Sequence, residues 1–246
     1  MQTKEIIERN FSRYAPFYDK YADIQLAAAK RLLEVLPKGG VDSVLEIGCG
    51  TGNYTRLVRT RFPAARIKAL DFSSRMIEVA RQKLQGDGVE FITADAEEFD
   101  PDGPFDLVTS NAAFQWFIRP EETIRKFREA LAGGGRLAFS TFGPKTFWEL
   151  REMLDDGSGV ASGGFLDEEA LEKMLNGYFS NVCIKKLVVK EVYPSIVELL
   201  RKIRYTGVRG GGKRAFPWKS TEGLYRKRFG RIEVTYEIYL CSVDRY

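Results

Sequence analysis

Short apolar runs alternating with amphipathic stretches set the pattern of this 246-residue chain. Val44-Leu45-Glu46-Ile47, Ile67-Lys68-Ala69-Leu70 and Leu107-Val108-Thr109-Ser110 are compact and apolar enough to be strands covered on both faces. The pattern predicts strands over 43–47, 66–70, 89–93, 105–110 and 136–141, and helices over 54–62, 74–85 and 121–131. Strand and helix alternating in this way imply parallel βαβ units with right-handed crossovers, hence an α/β fold. Ahead of that core, residues 4–36 read as helical. Ile6, Ile7 and Phe11 share one face and Leu26, Ala29, Leu32, Leu33 and Leu36 another. Between them lies a proline-broken aromatic cluster, Tyr14-Ala15-Pro16-Phe17-Tyr18-Asp19. Beyond Gly143 the alternation gives way to helices over 145–154 and 167–175, around a Gly/Ser stretch at 157–164. A long strand over 181–193 follows, then a helix over 194–205, a glycine-rich loop over 206–212, a short helix over 220–229 and a last strand over 232–243.

The densest local signal sits where the first strand ends, in Glu46-Ile47-Gly48-Cys49-Gly50-Thr51-Gly52-Asn53. Without a Cβ, the three glycines let the backbone bend tightly and approach a ligand closely. The helix beyond offers free N–H groups and a positive dipole end to an anionic group. Its G-x-G-x-G spacing is short of the G-x-G-x-x-G of dinucleotide binders, which indicates a nucleotide-like ligand other than NAD. Ligands of open α/β sheets lie beyond the carboxyl ends of the strands. There, strand two offers Asp71, about 20 positions past the loop, where a carboxylate can accept both hydroxyls of a ribose. Strand three offers Asp95-Ala96-Glu97, a carboxylate for an adenine amino group, and strand four the polar and aromatic lip Asn111-Ala112-Ala113-Phe114-Gln115-Trp116. Asp71 and Asp95 also suit helix caps, and Trp116 a core position. Four successive strand ends carrying the needed groups favour a site.

Composition narrows the chemistry. The chain has no histidine, which removes the commonest general base and every Ser-His or Cys-His pair. Cys49, Cys183 and Cys241 are odd in number, far apart and without metal-ligand spacing, so a reduced, cytoplasmic protein without a metal is expected. No apolar run approaches the roughly 18 residues of a membrane helix, and no membrane partner is expected. From Lys185 to Arg231 there are 14 Lys or Arg against Glu191, Glu198 and Glu222, while the remainder of the chain is net acidic. That basic third is either a solvated helical surface or the face for an acidic partner. A nucleic acid is disfavoured, because the basic segment has no interleaved aromatic strand.

The motifs LEIGCGTG, Asp71, Ala94-Asp95-Ala96-Glu97 and Asp106 to Asn111 together resemble the class I S-adenosylmethionine-dependent methyltransferases. The resemblance implies a Rossmann-like, seven-stranded, mostly parallel sheet with an antiparallel last strand at 232–243. It also implies one domain, in which 1–36 cover and 194–231 cap a cofactor-binding core at 43–143. Glu46, Gly48, Cys49 and Gly50 would frame the methionine part of S-adenosyl-L-methionine, and Asp71 would bind its ribose. Phe72 and Met76 would flank the adenine, Asp95 and Ala96 contact its edge, and Asn111 lie near the sulfonium.

A narrower resemblance runs from Ile7 to Tyr239. FSRYAPFYDKYADIQ, SNAAFQWF, FSTFGPKTFWEL, LLRKIRYTGV and TYEIYL are similar to the malonyl-[acyl-carrier protein] O-methyltransferases of biotin biosynthesis. It implies transfer of a methyl group to the free carboxylate of a malonyl thioester on acyl-carrier protein, or on malonyl-CoA, with S-adenosyl-L-homocysteine as product. Such a carboxylate is ionised at neutral pH and needs no base, and an acidic carrier protein would give the basic third its partner. Arg201 is the first candidate to fix the carboxylate through two parallel hydrogen bonds, with Arg204 second. Tyr18 is expected at the reacting end, and Tyr14, Gln115 and Trp116 along the acyl channel. Lys213, Arg214, Lys219 and Arg226 are candidates for the carrier surface. Rival acceptors are a trans-aconitate-type carboxylate or a quinone carbon and, from another class, RNA.

Overall fold

Residues 3–153, 165–207 and 218–246 are described by the structure, a computed structural model. Seven strands build one sheet: β1 (Ser43–Ile47), β2 (Arg66–Asp71), β3 (Val89–Thr93), β4 (Phe105–Asn111), β5 (Leu131–Phe142), β6 (Ser180–Tyr193) and β7 (Ile232–Asp244). Their spatial order is β3-β2-β1-β4-β5-β7-β6. The first five run parallel, and β7 lies antiparallel between β5 and β6. Chain order departs in opposite directions from the β1/β4 pair, which opens a crevice at their carboxyl ends.

Period-two alternation covers both faces of the sheet. Val44, Ile67, Leu107 and Ala138 belong to one apolar cluster, whereas Leu45, Ile47, Val108, Leu137 and Phe139 belong to the other. The first face is covered by α3 (Asp23–Leu32) and α4 (Asn53–Arg61), through Ala28, Ala29, Leu32, Tyr54 and Val58. α6 (Pro120–Ala130) and α8 (Glu168–Asn176) cover the second through Ile124, Phe127, Leu171 and Leu175. Glu46 shares the face of Val44, so its carboxyl is carried into the interior beneath α4.

The predicted elements are present, with differences at their ends. β5 begins at Leu131 and not at 136, because Leu131 pairs with Phe105 across a register shift ahead of the regular ladder. α7 (Trp148–Met153) starts later than 145, since Phe147 sits at φ 58° and donates its N–H to Thr235 O at 2.8 Å. The stretch expected at 157–164 and most of the 206–212 loop lie outside the described residues.

The leading segment divides into α1 (Lys4–Tyr14), a 3-10 turn at Ala15–Phe17 carrying Pro16, α2 (Tyr18–Tyr21) and α3. It closes on α5 (Ser74–Lys83) and α9 (Ile196–Tyr205). Tyr205 of α9 stacks on Tyr21 at 4.5 Å and meets Tyr14 and Phe17 edge-on. Phe11 packs against Tyr18, Phe72 and Trp116, and a Cβ on Gly207 would come within 2.6 Å of its ring. Leading segment, core and α9 therefore meet at one aromatic junction above the crevice. α10 (Trp218–Phe229) lies against β7 and brings the buried Tyr225 ring to it.

Candidate active site

The glycine turn takes its shape from backbone conformations that side chains rarely adopt. Gly48, Gly50 and Gly52 have φ of 68°, 55° and 80°. A Cβ on Gly48 would stand 2.4 Å from Ala113 Cβ. Gly48→Ala is therefore expected to cost about 1–2 kcal/mol in backbone strain alone. It should also push β4's lip away from the turn and weaken binding of a cofactor analogue at least tenfold in calorimetry. Affinity within twofold of the original would show that the close approach has no role in binding.

Asp71, at the end of β2, ties the turn down. Its carboxylate accepts the Gly50 N–H and the Ser73 N–H, each at 2.9 Å, so each oxygen keeps a lone pair for a ligand. Burial pushes this carboxyl up to about 6, against the two hydrogen bonds, which lower it. The next helix needs no help from Asp71, because Ser73 caps α5 by accepting from Met76 N–H at 3.2 Å.

A cavity of about 680 Å³ spreads from this turn across the strand ends. Gly48, Gly50 and Asp71 line one part, Phe72, Met76, Asp95 and Ala96 another, and Asn111, Ala112, Trp116 and Tyr18 the roof and lip. A hollow of about 380 Å³ continues between the glycine turn with Cys49 and the roof residues Tyr18 and Gln25. On the other side of Phe11, Tyr18, Ala112 and Trp116, which line both, opens a second cavity of about 480 Å³. Its walls are Phe142, Phe147, Phe165 and Tyr236, with Gln25, Gln115, Thr206 and Lys202 as polar groups.

Ala112 is the hinge between the two cavities, at φ 53°, a costly conformation for a residue with a Cβ. Three hydrogen bonds from two neighbours hold it there. Its N–H donates to Ser140 O and Oγ, and its carbonyl accepts from Gln115 Nε2 at 2.6 Å. Asn111 is fixed likewise, donating to Gln25 O at 3.1 Å and accepting from Ser140 Oγ at 2.8 Å.

Two buried acceptors stand out among the described residues. Both Glu46 carboxyl oxygens and Gln25 Oε1 are buried without a hydrogen-bond partner. Burial pushes the Glu46 carboxyl up to about 8, with nearby Asp71 adding to the rise. Thr55 opposes it in part, although its hydroxyl closes no hydrogen bond in the geometry shown. Buried polar groups are normally paired, so Gln25 Oε1, on the wall of the smaller hollow, marks where a donor or cation belongs, whereas Glu46 lines none of the three hollows.

Placement of the remaining candidates is uneven. Tyr18 touches all three hollows, and burial together with Asp71 and Asp19 raises its phenol, which stays protonated and can donate but not act as a base. Gln115 and Trp116 line the second cavity. Tyr14 stands outside both, against Tyr205. Arg201 and Arg204 are on the exposed side of α9, and Arg201 pairs with Glu198 at 2.6 Å. Neither lines any of the three hollows; the inward cation of that helix is Lys202. Arg226 pairs with Glu222, while Lys213, Arg214 and the Lys219 side chain lie outside the described residues.

Some site residues escaped sequence reasoning. Lys4 forms ion pairs with Asp95 and with Glu97 across one end of the larger cavity. Asp19 accepts from Thr51, Asn53 and Lys83, fastening the leading segment to the glycine turn. Sequence separations of 32 to 93 residues hid these pairings.

A family model described as a methyltransferase domain matches residues 44–135. Over 98% of its length the chain is 35% identical to a malonyl-[acyl-carrier protein] O-methyltransferase of Brevibacillus brevis, covering 96% of that protein. The identity is 43% to the protein of the same name from Priestia megaterium, over 82% of this chain and 75% of the relative. Among solved structures, the YcgJ protein of Bacillus subtilis matches with a TM-score of 0.64 at 18% identity, over 89% of this chain and 98% of the other. A phosphoethanolamine N-methyltransferase 2 of Haemonchus contortus, solved with S-adenosyl-L-methionine, matches at 0.60 and 18%, over 91% of this chain and 52% of the other.

Fold, glycine turn and strand-end carboxylates define a methyltransferase of the class I, Rossmann-like kind. Near-complete coverage at this identity then fixes the branch: the chain belongs to the malonyl-[acyl-carrier protein] O-methyltransferase family.

Proposed function

We propose that the protein transfers a methyl group from S-adenosyl-L-methionine to the free carboxylate of a malonyl thioester on acyl-carrier protein. The observation that carries this reading is the end-to-end similarity to relatives named for that reaction. Its place at an early step of biotin biosynthesis follows from the same resemblance.

The residues present fit the cofactor. The larger cavity and its extension are lined by Asp71, Asp95 and Glu97 against Lys4, so the wall is net acidic and suits a cationic ligand. Asp71 would take the ribose hydroxyls, Phe72 and Met76 the faces of the adenine, and Asp95 with Ala96 its edge. Gln25 Oε1 is an acceptor awaiting a donor in the hollow that Gly48, Cys49 and Gly50 line, and the buried Glu46 is a second orphaned acceptor set back from its wall. When bound, the cofactor supplies an electrophilic methyl on a sulfonium sulfur. Among the described residues no group of His, Cys, Asp or Glu is arranged to hold a metal.

What the chain does is place and enclose. A malonyl carboxylate, with a reference pKa near 4, is already ionised at pH 7, so no side chain has to take a proton from it. Phe11, Tyr18 and Trp116 stand where the two cavities meet and would keep water from that boundary, with Ala112 lining both cavities beside them. Rate then comes from aligning two reactants at near-contact distance. Much of the basic charge expected to greet an acidic carrier is paired locally, through Arg201–Glu198, Arg226–Glu222, Lys186–Glu168 and Lys190–Glu233. A carrier surface would have to use the basic groups beyond these pairs.

The test is methyl transfer from labelled cofactor to malonyl-acyl-carrier protein, with malonyl-CoA, trans-aconitate and RNA as competing acceptors. Label is expected in the carrier as a base-labile ester. Label in RNA or trans-aconitate instead would overturn the reading.

A further inference from the structure

We infer that Lys202 holds the acceptor's free carboxylate, and that this carboxylate takes the place of Asp23. The inference rests on the proposed methyl transfer and assigns the group that orients its acceptor.

Lys202 is the only charged side chain on the wall of the second cavity among the described residues. Its side chain is 9% exposed, and no cation or anion stands beside it on that wall. The surrounding surface is aromatic: its ammonium lies 5.7 Å from the Tyr193 ring centroid and 6.0 Å from that of Tyr236. A slender acyl group with one negative end suits such a cavity if it displaces one of the carboxylates that already pair with Lys202. α9 explains the orientation. Leu199 and Ile203 are buried, and Lys202 is buried at the flank of their stripe, whereas Arg201 and Arg204 fall on the solvent side.

The three N–H bonds of the ammonium are spoken for. Glu191 accepts with both oxygens, at 2.6 and 2.7 Å, and Asp23 accepts the third. These two partners are not equivalent. Glu191, on β6, is 24% exposed and is itself held by the Tyr193 hydroxyl, which belongs to the buried Tyr193–Tyr236 pair. Asp23, at the start of α3, is 60% exposed, so it returns to water readily. Exchange of Asp23 for the substrate carboxylate leaves Lys202 with two anionic partners throughout. Methylation then removes the charge: the oxygen–methyl bond forms as the methyl–sulfur bond breaks, no proton moves, and the neutral ester no longer competes. Asp23 recaptures Lys202 and the product is released. The same exchange breaks a tie between the leading segment and α9, which loosens the roof while acceptor is bound.

Steady-state kinetics with malonyl-acyl-carrier protein test this, alongside S-adenosyl-L-homocysteine binding by calorimetry. Lys202→Met is expected to raise KM for the carrier at least 50-fold, with S-adenosyl-L-homocysteine affinity within twofold of the original. Asp23→Asn, at an exposed position that does not threaten folding, is expected to lower that KM at least threefold and to slow product release. Unchanged KM in Asp23→Asn, with the original protein active, overturns the inference and leaves the proposed function standing. So does a KM increase in Arg201→Ala that Lys202→Met lacks. No transfer to malonyl carrier by the original protein removes the proposed function and this inference with it.

Discussion

Asp71→Ala is expected to weaken S-adenosyl-L-methionine binding by about 100-fold or more, roughly 3 kcal/mol. The substitution removes more than one acceptor at once. The Gly50 and Ser73 N–H groups, each 2.9 Å from the carboxylate, would be left without their partner. An unsatisfied buried donor costs on the order of 1–3 kcal/mol. With its tether gone, the glycine turn is no longer held in the conformation that approaches the ligand, and the ribose loses its acceptor as well. Burial holds the Asp71 carboxyl at about 6, so protonation on going below that pH should weaken cofactor binding by the same route. Asp71→Asn would keep one oxygen acceptor and should lie between the two, without that acid limb. Calorimetric titrations between pH 5 and 8 check both points. An Asp71→Asn variant retaining the acid limb would assign it to another group.

Glu46→Gln is expected to stabilise the ligand-free protein at pH 8 by ~4 kcal/mol at most, read as a rise in melting temperature of about 10 °C. The Glu46 carboxyl is 1% exposed, neither oxygen has a partner, and burial lifts it to about 8. Its folded pKa thus exceeds its unfolded one. The contribution to stability is complete below about 4.5 and is lost as pH rises toward 8, where the fold must bury an unpaired charge. Asp71 adds a smaller loss in the same direction up to about pH 6. A glutamine has no charge to lose, and its amide can donate to Thr55 Oγ1, itself buried without a partner. The melting temperature of the variant should therefore be flatter between pH 5 and 8. A bound cation would reverse the preference for the protonated acid. Cofactor binding at pH 7 is accordingly expected to release a proton in the original protein and not in Glu46→Gln, a difference measured by calorimetry in two buffers of unlike ionisation enthalpy. Equal proton release by both would dissociate Glu46 from the cofactor.

The elements of the core were legible because strand and helix periodicities are local properties. A run such as Val44 to Ile47 can be covered on both faces only inside a sheet, and the glycine turn follows it without interruption. Asp71 and Asp95 were legible for a related reason: in parallel βαβ units every strand end points to the same edge. The helix of 194–205 is equally legible from its periodicity. Read at 3.6 residues per turn, Ile196, Leu199 and Ile203 already turn Arg201 outward, whereas Lys202 falls at the flank of their stripe and only packing buries it. Arg201 has the chemistry, a fork suited to carboxylates, but chemistry does not tell which way a side chain faces.

From the sequence alone came the α/β class, the strand-to-turn-to-helix unit at Glu46 to Gly52, the row of strand-end carboxylates and, by resemblance, the family. Each depends on residues near one another in the chain or on a rule about parallel sheets. Tertiary structure alone decided the rest: Lys4 against Asp95 and Glu97, Asp19 on the glycine turn, Gln25 above it, and Lys202 between Glu191 and Asp23. These are pairings of charged or polar groups brought together by the packing of the leading segment and α9 over the sheet. A charge carries no mark of its partner in the sequence, because any opposite charge would serve and only packing selects which one is within reach.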